Sequence, residues 1–149
     1  FEAIQSLAIQ LKNDPDMLEG NSMLGVTLDV AGRKKEAIAI FRFGIQRNPN
    51  NLKCLRELAW MLATAKSDQY RNGAEALELA ERLVKLAPND PDFRNVLAAA
   101  YAETSQFDKA INAAKEGIGL ATASQNQSQI ELINTCLAAY ERRQPLRSN

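Results

Sequence analysis

Residues 18–51 read LEGNSMLGVTLDVAGRKKEAIAIFRFGIQRNPNN, and the placing of a few side chains in this stretch decides the fold. Leu24-Gly25 sets a large apolar residue beside a small one, Leu28 follows, Ala37 stands twelve residues before Pro49, and Pro49 stops the run. A proline cannot continue a helix, so Pro49 reads as the end of a structural unit.

The same marks recur outward from this stretch. Pro15 lies 34 residues before Pro49, and Pro88 ends the next unit. Ala3, Ala37, Ala76 and Ala110 stand twelve residues before Pro15, Pro49, Pro88 and Thr122. A second register holds Leu24-Gly25, Leu58-Ala59 and Leu97-Ala98, followed by Leu28, Leu62 and Tyr101. Antiparallel helices approach closely only where small side chains meet, while larger neighbours fill the adjoining grooves. Repetition at this period is the mark of a stacked helical array.

The pattern resembles the tetratricopeptide repeat, W-x2-L-G-x2-Y, then A-x3-F, then P, over about 34 residues. Residues 18–51 match at Leu24, Gly25, Leu28, Gly32, Ala37, Phe41 and Pro49, with Asn21 in place of Trp and Gly44 in place of Ala. Residues 91–124 match at Leu97, Ala98, Tyr101, Phe107, Ala110 and Gly117, but Thr122 replaces the terminal proline. Residues 52–90 keep Leu58, Ala59, Leu62, Ala76 and Pro88 and are five residues longer, with the surplus in Lys66–Asn72. That unit looks like a variant repeat of large bacterial multidomain proteins. Residues 1–15 match only the second helix of a repeat, so the chain is expected to begin inside a longer array, exposing Phe1, Ile4, Leu7 and Leu11. Residues 126–143 carry Ile130, Ile133, Leu137 and Tyr140 at helical spacing and read as a capping helix, which covers the apolar face of the last hairpin.

The expected architecture over residues 1–149 is thus a single all-α domain. The resemblance implies a right-handed α-solenoid of about eight helices in antiparallel hairpins. Asp16, Asn50 or Asn51, and Asp90 are positioned to cap first helices, and Pro91 suits a first helical position.

Composition removes several kinds of function. The 149 residues include no histidine, which excludes Ser-His-Asp and Cys-His nucleophiles and the H-E-x-x-H zinc site. Cys54 and Cys136, far apart, read as small buried apolar residues. Lys plus Arg and Asp plus Glu number 18 each, so no overall basic field favours nucleic acid. No run of apolar residues is long enough to span a bilayer. We therefore expect no catalytic residues, no metal and no cofactor. The compartment is left open, because an upstream targeting segment is compatible with a chain that starts inside a repeat.

In the tetratricopeptide family the first helix of each hairpin lines a concave groove. The resemblance assigns that role to Glu19, Ser22, Met23, Val26 and Asp29, then Lys53, Arg56, Glu57, Trp60 and Thr64, then Asn95, Ala99 and Glu103. Arg56 and Trp60 stand four apart on one helix and share a face, a pairing of planar donor and aromatic slab enriched at binding hot spots. The alternative is that Trp60 packs on a neighbouring hairpin and Arg56 pairs with a carboxylate. The Lys-Asn-Arg clamp for chaperone tails is missing, since Ser22, Val26, Glu57, Asp92 and Val96 hold the corresponding places.

From Arg33 to Arg56 seven basic residues face Glu36 alone, suited either to an acidic partner or to a solvated helix face. Three functions stay open on these residues: a scaffold that binds a peptide or protein segment in the groove, a self-association module acting through the N-terminal helix, and a regulatory or substrate-presenting region of a larger bacterial enzyme.

Overall fold

The computed structural model describes residues 1–17 and 19–148. Leu18, on which the first full repeat was expected to begin, and Asn149 lie outside the described residues. Among the described residues eight α-helices follow one another: α1 (Glu2–Asn13), α2 (Gly20–Val30), α3 (Lys34–Arg47), α4 (Leu52–Thr64), α5 (Gly73–Leu86), α6 (Pro91–Glu103), α7 (Phe107–Ala123) and α8 (Gln127–Glu141). The surplus before α5 forms a longer connection that holds one 3-10 turn, Asp68–Tyr70. Among the described residues there is no strand, only an isolated bridge between Ala65 and Ser148.

Seven of these helices end in one of two ways, and local sequence explains both. α1, α3 and α5 stop at Asp14, Asn48 and Ala87, whose φ values of −136°, −136° and −139° are extended. Each precedes a proline, whose ring disfavours a helical conformation in the residue before it. α2, α6, α7 and α8 instead end in a left-handed residue, Gly32, Ser105, Gln125 and Arg143, at φ of 78°, 61°, 56° and 57°. In each, the following N–H donates back to the helix, as Arg33 does to the Leu28 carbonyl at 2.9 Å and Gln106 to that of Tyr101 at 2.8 Å. This closure satisfies carbonyls that the helix end would leave orphaned. α7 joins the second group because Thr122 stands where a proline would have stopped it, and it runs to 17 residues.

Helix starts follow the sequence in two of three places. The Asn51 side chain accepts from the Cys54 N–H at 3.1 Å, and Asp90 accepts from Asp92 and Phe93 at 2.9 and 3.3 Å. Asp16 does not cap. α2 begins only at Gly20, after Glu19 in a left-handed conformation with φ 69°, and the Asp16 carboxylate pairs with the Arg47 guanidinium, Nε at 2.9 Å. Packing is close at this start: a Cβ at Gly20 would lie 2.4 Å from Met17 Cε and 2.7 Å from Leu11 Cδ2, so a larger residue would require these side-chain ends to move.

Where the sequence suggested one continuous domain, the chain separates into two compact units, Phe1–Leu58 and Ala59–Asn149, with the boundary inside α4. In the first, α1 packs on α2 and α2 on α3. Leu24, Leu28, Ala37, Ile38, Phe41, Cys54, Leu55 and Leu58 are buried there. Each large member contributes about 1.5–3 kcal/mol relative to exposure. A Cβ at Gly25 would meet the Phe41 ring at 2.3 Å, so the small residue of the repeat register is what admits the phenyl ring. α1 exposes less than expected: Phe1 is open to solvent and Ile4 and Leu7 are half-buried, but Leu11 is buried against the start of α2. In the second unit α5 packs on α6, α6 on α7, and α8 on both α7 and α6. Leu83, Val96, Ile133 and Tyr140 are fully buried, which places α8 as a helix that closes the core.

Candidate functional site

The first unit contains an open cleft between α2 and the start of α4. Its cavity of about 400 Å³ is lined by Ser22, Met23, Val26, Thr27, Lys53 and Glu57. Five of these six are residues assigned to the groove from the sequence; Thr27 is the addition. Met23 and Val26, one turn apart on α2, are 52% and 41% exposed. Ser22 and Thr27 donate their hydroxyls to the carbonyls of Glu19 and Met23, both at 2.8 Å. Those bonds to the preceding turn occupy the hydroxyl hydrogens, so the wall offers mainly carbon to a visitor.

Charge stands around this apolar strip in matched pairs. Lys53 Nζ lies 2.8 Å from Glu19 Oε1, Arg56 Nη1 is 3.3 Å from Glu57 Oε1, and Lys34 Nζ is 2.7 Å from Asp29 Oδ1. Exposed pairs of this kind add little stability, typically about 0–1 kcal/mol. Their consequence is electrostatic: with Arg33 on Glu36 and Arg47 on Asp16 as well, five of the seven basic residues between Arg33 and Arg56 face an acidic partner, which weakens the field of the stretch. The cleft is thus apolar along Met23 and Val26 and edged by paired charges.

The residues assigned in the second unit are placed differently. Trp60 is half-buried and engaged by other groups. Thr64, Asn95 and Ala99 are buried, at 0%, 0% and 1% exposure. Glu103 is half-buried and takes two arginines, Arg71 Nε at 3.1 Å and Arg147 Nη1 at 2.7 Å. Arg147 belongs to a C-terminal segment that no repeat register could reveal as part of this surface. The one clue in the sequence was the stop signal of Arg142, Arg143 and Pro145; α8 ends at Glu141 through the left-handed Arg143.

The two thiols are buried, as expected for small apolar residues. Burial, reinforced by the Glu57 charge, pushes the Cys54 thiol up from 9.0 to about 11, and burial likewise raises that of Cys136. Neither is a thiolate near neutral pH. Among the described residues no group of His, Cys, Asp or Glu is arranged to hold a metal, and no helix is long and apolar enough to cross a membrane.

Comparison with known proteins places this geometry. Residues 61–124 match the family model described as tetratricopeptide repeat. The stretch 18–51 lies outside the matched residues. Among solved structures, a MamA RS-1 ArsTM double mutant superposes with a TM-score of 0.70 at 19% identity, covering 95% of this chain and 84% of that one. A crystal structure of MamA superposes with a TM-score of 0.65 at 18% identity, covering 94% and 85%. At these identities the likeness concerns fold alone. No curated protein matches the sequence.

Proposed function

We propose that this chain, a helical array with tetratricopeptide repeats over residues 61–124, is a protein-interaction scaffold whose first unit receives an apolar segment of another protein between α2 and α4. The observation that carries the assignment is the cleft lined by Met23 and Val26, two large apolar side chains left open to solvent beside Lys53 and Glu57. A partner side chain entering it would bury carbon against carbon, while the ion pairs at the rim set register and exclude poor fits. The scaffold works without chemistry of its own. That reading is supported by the lack of histidine, by two thiols held protonated and by polar side chains already engaged in pairs.

The test is capture from source-cell lysate with the full chain and with a Met23→Glu, Val26→Asp variant. Both positions are exposed, so stability should stay within about 0.5 kcal/mol per substitution. Proteins held by the wild type and lost by an equally folded variant support the cleft; identical retention by the two removes it.

A second reading, self-association, rests on a separate groove of about 340 Å³ lined by Ile4, Ala8, Leu24, Leu28, Ala39 and Ile40, with Arg33 and Glu36 at its edge. Light scattering that reports a strict monomer at high concentration would exclude it.

A further inference from the structure

After α8 the chain does not leave the molecule. Gln144 donates its N–H to the Ala139 carbonyl at 3.0 Å, which turns the backbone, and the following residues run to the far end of α4. There Ser148 bridges Ala65 in parallel fashion: its N–H donates to the Thr64 carbonyl at 2.7 Å, and its carbonyl accepts from the Lys66 N–H at 3.1 Å. The Ser148 and Thr64 hydroxyls lie 2.7 Å apart, and Arg147 reaches Glu103 Oε2 at 2.7 Å.

The acceptor side of these contacts is braced without help from the segment. Arg71 donates Nη1 to the carbonyls of Ala65 and Lys66 at 2.8 and 2.9 Å and Nε to Glu103 Oε1 at 3.1 Å. One arginine thus holds the chain leaving α4 against the last residue of α6, and it leaves Glu103 Oε2, the Thr64 carbonyl, the Thr64 hydroxyl and the Lys66 N–H in a row. Two of these read an extended backbone, one a cation and one a hydroxyl. The C-terminal ends of α4 and α6 add partial negative charge, which favours a cationic visitor.

We propose that this row is a receptor slot for an extended peptide carrying an arginine followed by a serine or threonine, and that residues 145–148 fill it in cis. The filling segment is held by exchangeable polar contacts. Arg147 is exposed, and Pro145 and Leu146 are only half-buried, so no deep apolar anchor fixes it. Its direct attachment to Gln144 gives it a high effective concentration, so a peptide in trans gains access only by competing with it. The slot is separate from the α2–α4 cleft and stands whether or not that cleft binds a partner.

The test uses the full chain, a synthetic peptide Gln-Pro-Leu-Arg-Ser with blocked ends, and hydrogen exchange at the Lys66 amide, whose acceptor is the Ser148 carbonyl. Arg147→Glu with Ser148→Pro removes the cation and the N–H that the slot reads. This variant should exchange Lys66 at least about tenfold faster while core helix amides stay protected. It should bind the peptide at least about tenfold more tightly than the wild type does, and the peptide should restore protection at Lys66. Adding Glu103→Gln should weaken the peptide again. An unprotected Lys66 amide in the wild type, equal peptide binding by both chains, or no binding by a folded and deprotected variant would each overturn the proposal.

Discussion

The two units present the same register position in opposite states. In the first, Met23 and Val26 stand open along α2; in the second, the matching Val96 and Ala99 of α6 are buried. α6 is packed by α5, α7 and α8 and carries a run of alanines, Ala98 to Ala100, that lets neighbours come close on several sides. Accessibility at a repeat position therefore follows from which helices follow it, not from the repeat motif. The same motif yields a cleft in one unit and core in the other.

The largest test of the division is to empty each core. Phe41→Ala and Tyr140→Ala remove aromatic rings that are 1% and 0% exposed, and each should cost about 3–5 kcal/mol. Hydrogen exchange should then loosen residues 1–58 in the first variant and 59–148 in the second. Exchange that rises equally across both would show that the two units unfold as one.

A smaller effect separates the two versions of the close helix approach. Gly25→Ala drives a Cβ to within 2.3 Å of the Phe41 ring and should destabilise by about 1–3 kcal/mol, measured by denaturant unfolding. Ala98→Gly, at the matching position, removes only a methyl and adds backbone freedom, and should cost about 1 kcal/mol. A Gly25→Ala variant as stable as the wild type would mean that Phe41 can rotate away without loss.

The smallest concerns the left-handed helix ends. Gly32 adopts φ 78° at no steric cost, whereas Ser105 holds φ 61° with a Cβ. Ser105→Gly should therefore be neutral or stabilising by up to about 1 kcal/mol, and Gly32→Ser destabilising by a similar amount. A fall in melting temperature for Ser105→Gly would show that the serine side chain contributes more than its strain removes.

Of the residues that the resemblance assigned to a groove, Ser22, Met23, Val26, Lys53 and Glu57 line one cavity, because the repeat register places them on facing positions of α2 and α4. Arg56 was read as a free hot-spot donor or a paired cation, and it is paired with Glu57. Asp16 looked like a cap by residue type and register, but α2 begins only at Gly20, after a left-handed Glu19, and the Asp16 carboxylate pairs with Arg47, 31 residues away, a contact invisible to local pattern.

Alone, the sequence determined the all-α class, the eight helices, the proline-directed stops after α1, α3 and α5, and the large-small alternation that lets helices approach. These are local properties: backbone sterics, spacing along a helix and side-chain size act over a few residues. Tertiary structure alone decided which faces stay open, that five of the seven basic residues between Arg33 and Arg56 pair with Asp16, Glu19, Asp29, Glu36 and Glu57, and that residues 145–148 return to the end of α4. Those outcomes depend on groups up to 84 residues apart, such as Thr64 and Ser148, and their pairing is a property of the packed chain.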